Sequence, residues 1–144
     1  MHMSEAERDA FLSQARVAVL AVTRPDQPPM VMPVWYRYVP GGGFQFTLSN
    51  DSARARMLHD IGRATLCVQE QTVPYRCVTV EGDIEMTTLE TDTRETVLID
   101  LASRYLGEDA GTKFALSIGE ETEALITFQP HAWHTRVLAD AGTH

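Results

Sequence analysis

Residues 76–86 read RCVTVEGDIEM, an unbroken alternation of apolar and polar side chains. Val78, Val80, Ile84 and Met86 share one face with Gly82 in register, and Thr79, Glu81, Asp83 and Glu85 share the other. Successive side chains of a strand point to opposite sides, so one face is written for a core and the other for water. Glycine weakens a strand interior, and Gly82 therefore predicts a bulge or a sharp bend of the kind a barrel corner requires.

Working outward, Arg63 to Gln69 (RATLCVQ) reads as the preceding strand, and Val73-Pro74 marks the approach to the strand at 76–86. Phe44 to Ser49 alternates in the same way, after a tight turn at Gly41, Gly42 and Gly43. Met30 to Val39 (MVMPVWYRYV) is a strand whose Pro33 has no N–H to give a ladder, which predicts a bulge or an edge position there. Val17 to Thr23 (VAVLAVT) is wholly apolar but for its end, as a strand buried on both sides would be, and RPDQPP at 24–29 turns it back antiparallel onto the next. Ser4 and Glu7 form a capping box ahead of a short helix carrying Phe11 and Leu12.

Downstream, Val97, Leu98, Leu101 and Tyr105 recur at helical spacing, so Thr91 to Leu106 is a helix that Gly107 stops. Residues 108–121 are polar, with only a short apolar turn suggested at Phe114, Leu116 and Ile118. Ala124 to Leu138 is a last strand interrupted by Pro130. Six strands joined mostly by short turns, with a few peripheral helices, predict a mainly β (α+β) chain built as one closed antiparallel barrel over residues 4–138. Residues 1–3 read as a cloning remnant and start, and 139–144 as a flexible tail.

A chain of 144 residues suits one domain that needs no staples. A net charge of −8 excludes a nucleic-acid or acidic-membrane surface, because phosphate polymers demand a basic face. No apolar run spans a bilayer and no signal peptide opens the chain, so a cytoplasmic protein is the default. Cys67 and Cys77 lack metal-ligand spacing and read as buried free thiols, and no metal site is expected. His59, His131 and His134 are single histidines with surface or packing roles. Of the twelve basic residues only Lys113 is lysine, so an anion site here is an arginine site.

Phe44 to Leu58 (FQFTLSNDSARARML) carries such a site. A strand runs with almost no loop into a helix from Ser52 to about Asp60, which Gly62 ends. Asn50, Asp51 and Ser52 supply capping chemistry. Asp51 reads as the cap, leaving Ser52, Arg54 and Arg56 to meet a phosphate beside the positive helix end. An ordinary capped helix with a solvated arginine pair fits the same residues.

The series VAVLAV, a Pro-rich turn, VMPVWY, SARARML and PYRCVTVEGDIE, spread over residues 8–137, resembles the flavin-reductase-like split β-barrels related to pyridoxamine 5′-phosphate oxidase. It is most similar to the branch that uses coenzyme F-420, an 8-hydroxy-5-deazaflavin. The resemblance implies an FMN-binding type of split barrel and a homodimer with cofactor sites at the interface. It implies that Thr47, Ser49, Ser52, Arg54 and Arg56 hold the cofactor phosphate. Met32, Pro33, Val34 and Trp35, on to Tyr36, then line the ring, with Tyr75 and Arg76 of the Pro-Tyr-Arg run close by. Trp35 and Trp133 could flank a planar ring, although aromatic residues on strands more often fill a core. Many relatives carry Lys at the Arg54 position and Asn at the Met57 position, and the latter departure leaves the ring system open between F-420 and FMN.

The implied reaction is hydride transfer from reduced coenzyme F-420 to an unsaturated small molecule such as an enone, a quinone or a tetrapyrrole-like compound. The cofactor carries that chemistry, which agrees with a sequence offering no nucleophile or paired-carboxylate arrangement. Tyr75 or a water is the candidate proton donor. The alternatives are an FMN-dependent oxidase or reductase of the pyridoxamine 5′-phosphate oxidase kind, and a non-catalytic flavin- or deazaflavin-binding protein.

Overall fold

The computed structural model describes residues 2–41, 43–118 and 122–137. In chain order the elements are α1 (Glu5–Leu12), β1 (Val17–Arg24), β2 (Gln27–Trp35), β3 (Arg37–Val39), β4 (Gly43–Ser49), α2 (Ala53–Ile61), β5 (Arg63–Gln69), β6 (Arg76–Thr88), α3 (Thr91–Leu106), α4 (Glu108–Ser117) and β7 (Glu123–Val137). The strands form a single antiparallel sheet in the order β2-β1-β5-β6-β7-β4-β3. Leu138 and the tail assigned to 139–144 lie outside the described residues, as do Met1 and Gly42.

The expected six strands are seven, and the one residue responsible is Tyr36. It divides the stretch at 30–39 into β2, which pairs with β1, and β3, which pairs with β4. The two edges of the sheet are thus consecutive in sequence, and the sheet must curl until they meet at this residue. The expected closed barrel is not formed: among the described residues no ladder joins β2 to β3, and the sheet stays open there, linked only by the chain at Tyr36. Tyr36 is fully buried and its hydroxyl donates to Leu12 O at 3.0 Å. Its N–H, outside both ladders, donates instead to the Tyr105 hydroxyl at 2.9 Å. That hydroxyl in turn lies 2.7 Å from Arg16 O and 3.1 Å from Tyr36 O. A side chain from α3 therefore serves the backbone where the barrel is split, as a buried polar group requires.

Gly82 marks a bulge, as its sequence context predicts. The β6–β7 register slips between Glu81 and Gly82, which face Ala132 and Pro130, so that His131 is the extra residue. A Cβ on Gly82 would sit 2.5 Å from Gln129 O and 2.6 Å from a Phe128 ring carbon, so glycine is demanded by packing as well. Pro33, by contrast, needs no bulge. It faces Val19 with no slip of register, because β2 is an edge strand and can turn a nitrogen without hydrogen away from its neighbour. Pro28 and Pro29 fall where the β1–β2 register does slip, between the Val22–Met30 and Arg24–Gln27 pairs.

The inward faces of the strands enclose one core around Phe44, Phe46, Ile126, Phe128, Leu20 and Leu66, all essentially unexposed. Helix α1 closes one end of it, capped by the Ser4/Glu7 box and inserting Phe11 and Leu12. Met3 is buried with them, its N–H donating to Thr135 Oγ1 at 2.9 Å. The α3 helix has the expected limits, but residues 108–117, not drawn as an element from sequence, form α4. Gly111 makes the α3–α4 contact, since a Cβ there would lie 2.6 Å from the Ser103 backbone.

Candidate functional site

The anion site expected from sequence falls at the passage from β4 into α2. The Ser52 hydroxyl accepts from Ala55 N at 3.1 Å and donates to Ser49 O at 2.8 Å, so Ser52, not Asp51, is the helix cap. Its hydroxyl is thereby committed and is not free for a phosphate. Asp51 is exposed and lends α2 only its carbonyl, which accepts from Arg56 Nη1 at 3.2 Å. The N–H groups of Ala53 and Arg54 lack carbonyl partners inside the helix, as first-turn donors do, and carry its partial positive charge. Arg54 and Arg56 are exposed beside them, and among the described residues neither pairs with a carboxylate. Met57, where an amide was the alternative, is half-buried and packs onto the core.

A second group of assigned residues stands next to this end. Pro33, Val34 and Trp35 of β2 and Thr47 and Leu48 of β4 line one concavity of about 180 Å³, roofed by Leu101, Phe114 and Ile118 of the α3–α4 region. Trp35 stacks face to face on Tyr105, with ring centroids 4.8 Å apart and planes within 7°. Phe114 leans on the same indole at 5.5 Å. Trp35 thus flanks a space, whereas Trp133 packs edge-on to Tyr38 beneath the Arg8 guanidinium and belongs to the barrel wall. Met32, assigned to the ring, is buried in the core instead of lining the concavity. Thr47, assigned to phosphate with Ser49, contributes the one side-chain hydroxyl among the residues lining the concavity.

The third group lies elsewhere. Arg76 faces Val137 at one end of β7, whereas Ser49 faces Glu123 at the other. Those ends are separated by about 45 Å of strand path. The Arg76 guanidinium is already engaged, forking onto the Glu70 carboxylate at 2.9 and 3.0 Å and lying 5.0 Å over the Phe11 ring. The hydrogen bond from Arg76 holds the Glu70 carboxyl below its ordinary range, and Glu70 raises Arg76 in return. Tyr75 is different: it is 40% exposed and held at φ 55, in the left-handed region that costs a bulky residue about 1–2 kcal/mol. Strain of that kind persists where a side chain is being presented.

The remaining titratable residues add no second centre. Cys67 and Cys77 are free, as expected, but half-buried, with sulfurs 3.8 Å apart. Burial first, and then the neighbouring Cys77, pushes the Cys67 thiol up. His59 is exposed beside Asp60, and His131 stands 3.8 Å from Asp83 on the outer face. Among the described residues no cluster of three metal-ligating side chains occurs. Nor does any helix among them have the length and apolarity to cross a membrane. A further concavity of about 360 Å³ at Arg63, Thr65, Glu81 and His131 is open and lies apart from the assigned residues.

Tyr105, Phe114 and Ile118 were not singled out from sequence as site residues. Gly111, Phe114, Ala115 and Ile118 recur at helical spacing, a signal the polar residues between them obscured.

The family described as pyridoxamine 5′-phosphate oxidase matches residues 4–136 of this chain. A conserved hypothetical protein from Mycobacterium tuberculosis superposes with a TM-score of 0.78 at 22% identity, over 99% of this chain and 89% of its own. An F-420 reductase superposes with a TM-score of 0.67 at 22% identity, over 88% of this chain and 94% of its own. The haem storage protein HutZ from Vibrio cholerae does so with a TM-score of 0.69 at 14% identity, over 96% and 98%. At these identities the three share a fold with the chain. A search of curated proteins by sequence found no match.

Proposed function

The chain belongs to the pyridoxamine 5′-phosphate oxidase family, and from that premise we propose that it is an oxidoreductase passing a hydride from reduced coenzyme F-420 to an unsaturated small molecule. The observation that carries this reading is the pair of arginines without carboxylate partners, Arg54 and Arg56, beside open N–H groups at the start of α2. Two forked cations and two backbone donors suit a phosphoester, which a flavin or deazaflavin side chain presents. The ring would then extend along β2, whose outer row of backbone groups is free of ladder bonds because it is an edge strand. When bound, such a ring supplies the hydride; the chain supplies orientation, a dry wall and charge complementarity. The preference for the deazaflavin rests on the SARARML and VMPVWY runs. The free thiols Cys67 and Cys77 accord with a reducing, cytoplasmic setting.

The topology favours a second chain. Tyr75 and Arg76 stand at the other end of β7 from Ser49, about 45 Å away along the strand path, which speaks for their serving different cofactors of a pair. A homodimer whose partner offers its Tyr75 to the site reconciles the resemblance with this topology, and the exposed, strained Tyr75 suits that presentation.

The test is a cofactor titration. Reduced and oxidised F-420 should bind saturably, with Arg54→Ala and Arg56→Ala each weakening affinity by about ten- to a hundredfold. Unchanged affinity in both variants places the anion elsewhere. A yellow protein that retains FMN through purification supports the FMN reading instead, and saturable binding without turnover over activated alkenes and quinones supports a carrier.

A further inference from the structure

We propose that the concavity between Trp35, Thr47 and the α3–α4 region is the acceptor pocket, and that it selects a neutral, single-ring conjugated ketone or quinone over larger polycyclic compounds. The identity of the occupant as a hydride acceptor rests on the oxidoreductase reading above; the pocket's size selection does not. Three observations carry it.

The space measures about 180 Å³. An engineered apolar cavity of about 150 Å³ takes benzene, so this one admits a six-membered ring and little more. A tetrapyrrole, with four pyrrole rings, is excluded from it.

The walls state the chemistry. Leu48, Leu98, Leu101, Ala102 and Ile118 are aliphatic, and Trp35 with Phe114 supplies aromatic surface. No charged side chain lines the space, which excludes ionised acceptors, whose desolvation nothing there would offset. Thr47 brings the pocket's lone side-chain hydroxyl, and that hydroxyl has no protein partner among the described residues. It can donate to one carbonyl oxygen of the acceptor and fix which carbon faces the cofactor side.

The location agrees. Pro33 and Val34, assigned to the cofactor ring, also line this pocket, so an occupant would share that strand with the ring. Hydride addition at the β carbon breaks the C=C π bond and places negative charge on the carbonyl oxygen. Thr47 stabilises that oxygen, and a proton from solvent or from the partner's Tyr75 completes the reduction.

Phe114, which is 45% exposed, lines the pocket from α4 and takes up room that a larger occupant would need. Because it is half outside the fold, trimming it enlarges the pocket without removing a core residue.

Binding is read first on the cofactor-free protein, by ligand-observed NMR with cyclohexanone, a saturated ring that does not react with thiols. Cyclohexanone should bind, Ala102→Phe should weaken it by about tenfold or more by filling the space, and the bicyclic ketone 2-decalone should bind only after Phe114→Ala. Thr47→Val should lower kcat/KM for cyclohexenone about tenfold, the effect of one lost hydrogen bond. Cyclohexanone binding that is indifferent to both Ala102→Phe and Phe114→Ala overturns the pocket while leaving the cofactor reading intact. Loss of cofactor binding in a folded Ala102→Phe variant also overturns it, by showing that the cofactor ring itself fills the space. Size-selective ketone binding with no binding of F-420 or FMN upholds the pocket and overturns the oxidoreductase reading. Protoporphyrin binding abolished by Ala102→Phe overturns the size limit.

Discussion

Tyr105 shows how much one side chain decides here. Its hydroxyl takes the hydrogen bond that the barrel's split denies to Tyr36 N, and its ring stacks on Trp35. Tyr105→Phe would keep the stack and orphan the buried N–H, which costs about 1–3 kcal/mol. A thermal or urea denaturation should show that loss, and an unchanged midpoint would mean that water replaces the hydroxyl. Sequence marked Tyr105 only as part of a helix face, because a hydrogen bond to a residue 69 positions away leaves no trace in local spacing. The Glu70–Arg76 pair gives a pH signature. In the folded chain the Glu70 carboxyl titrates below its ordinary value because Arg76 donates to it. The pair therefore stabilises the fold above the ordinary carboxylate pKa, and that contribution fades as pH falls through the lower folded value. Glu70→Gln should lower the urea midpoint at pH 7, with the gap from the parent closing below about pH 4. A gap of constant size down to pH 3 would show that the charge on Glu70 contributes nothing.

At the scale of elements, glycine separates two kinds of constraint. Gly62 ends α2 at φ 74, and a Cβ there would meet nothing within 4 Å, so Gly62→Ala should cost only the left-handed penalty of about 1 kcal/mol. Gly82→Ala must push against Gln129 O and the Phe128 ring, and should cost about 3 kcal/mol or more. Denaturation of both variants side by side checks the order, and a reversal would mean that the β6–β7 bulge yields freely. Both glycines were legible in sequence as a helix stop and a bend, but the packing demand on Gly82 was not. The limits of α3 were legible too, since Val97, Leu98, Leu101 and Tyr105 recur at helical spacing and Gly107 stops the run. Helix α4 was not, because its buried side is narrow, Gly111 and Ala115, and Phe114 and Leu116 remain exposed.

At the scale of the whole molecule the proposal that the site spans two chains can be tested directly. Arg54→Ala and Tyr75→Ala protomers, each deficient alone, should regain about a quarter of the cofactor sites when mixed in equal amounts and allowed to exchange, since about half of the dimers are then heterodimers and one of the two interface sites in each is intact. No regain in a verified heterodimer would put both residues in one chain's site. Sequence by itself determined the strand alternation, the helix caps at Ser4 and Gly62, the bend at Gly82 and the arginine-bearing junction after β4, because each is a matter of neighbours along the chain. Tertiary structure alone decided that Tyr36 joins the two edges of the sheet, that Ser52 is committed to its helix, that Arg76 is committed to Glu70, and that Tyr75 stands far from Ser49. The physical reason is that a curled sheet brings together strands distant in sequence and parts residues that a linear motif places in one list; which donors remain free is settled only after every buried group has found its partner.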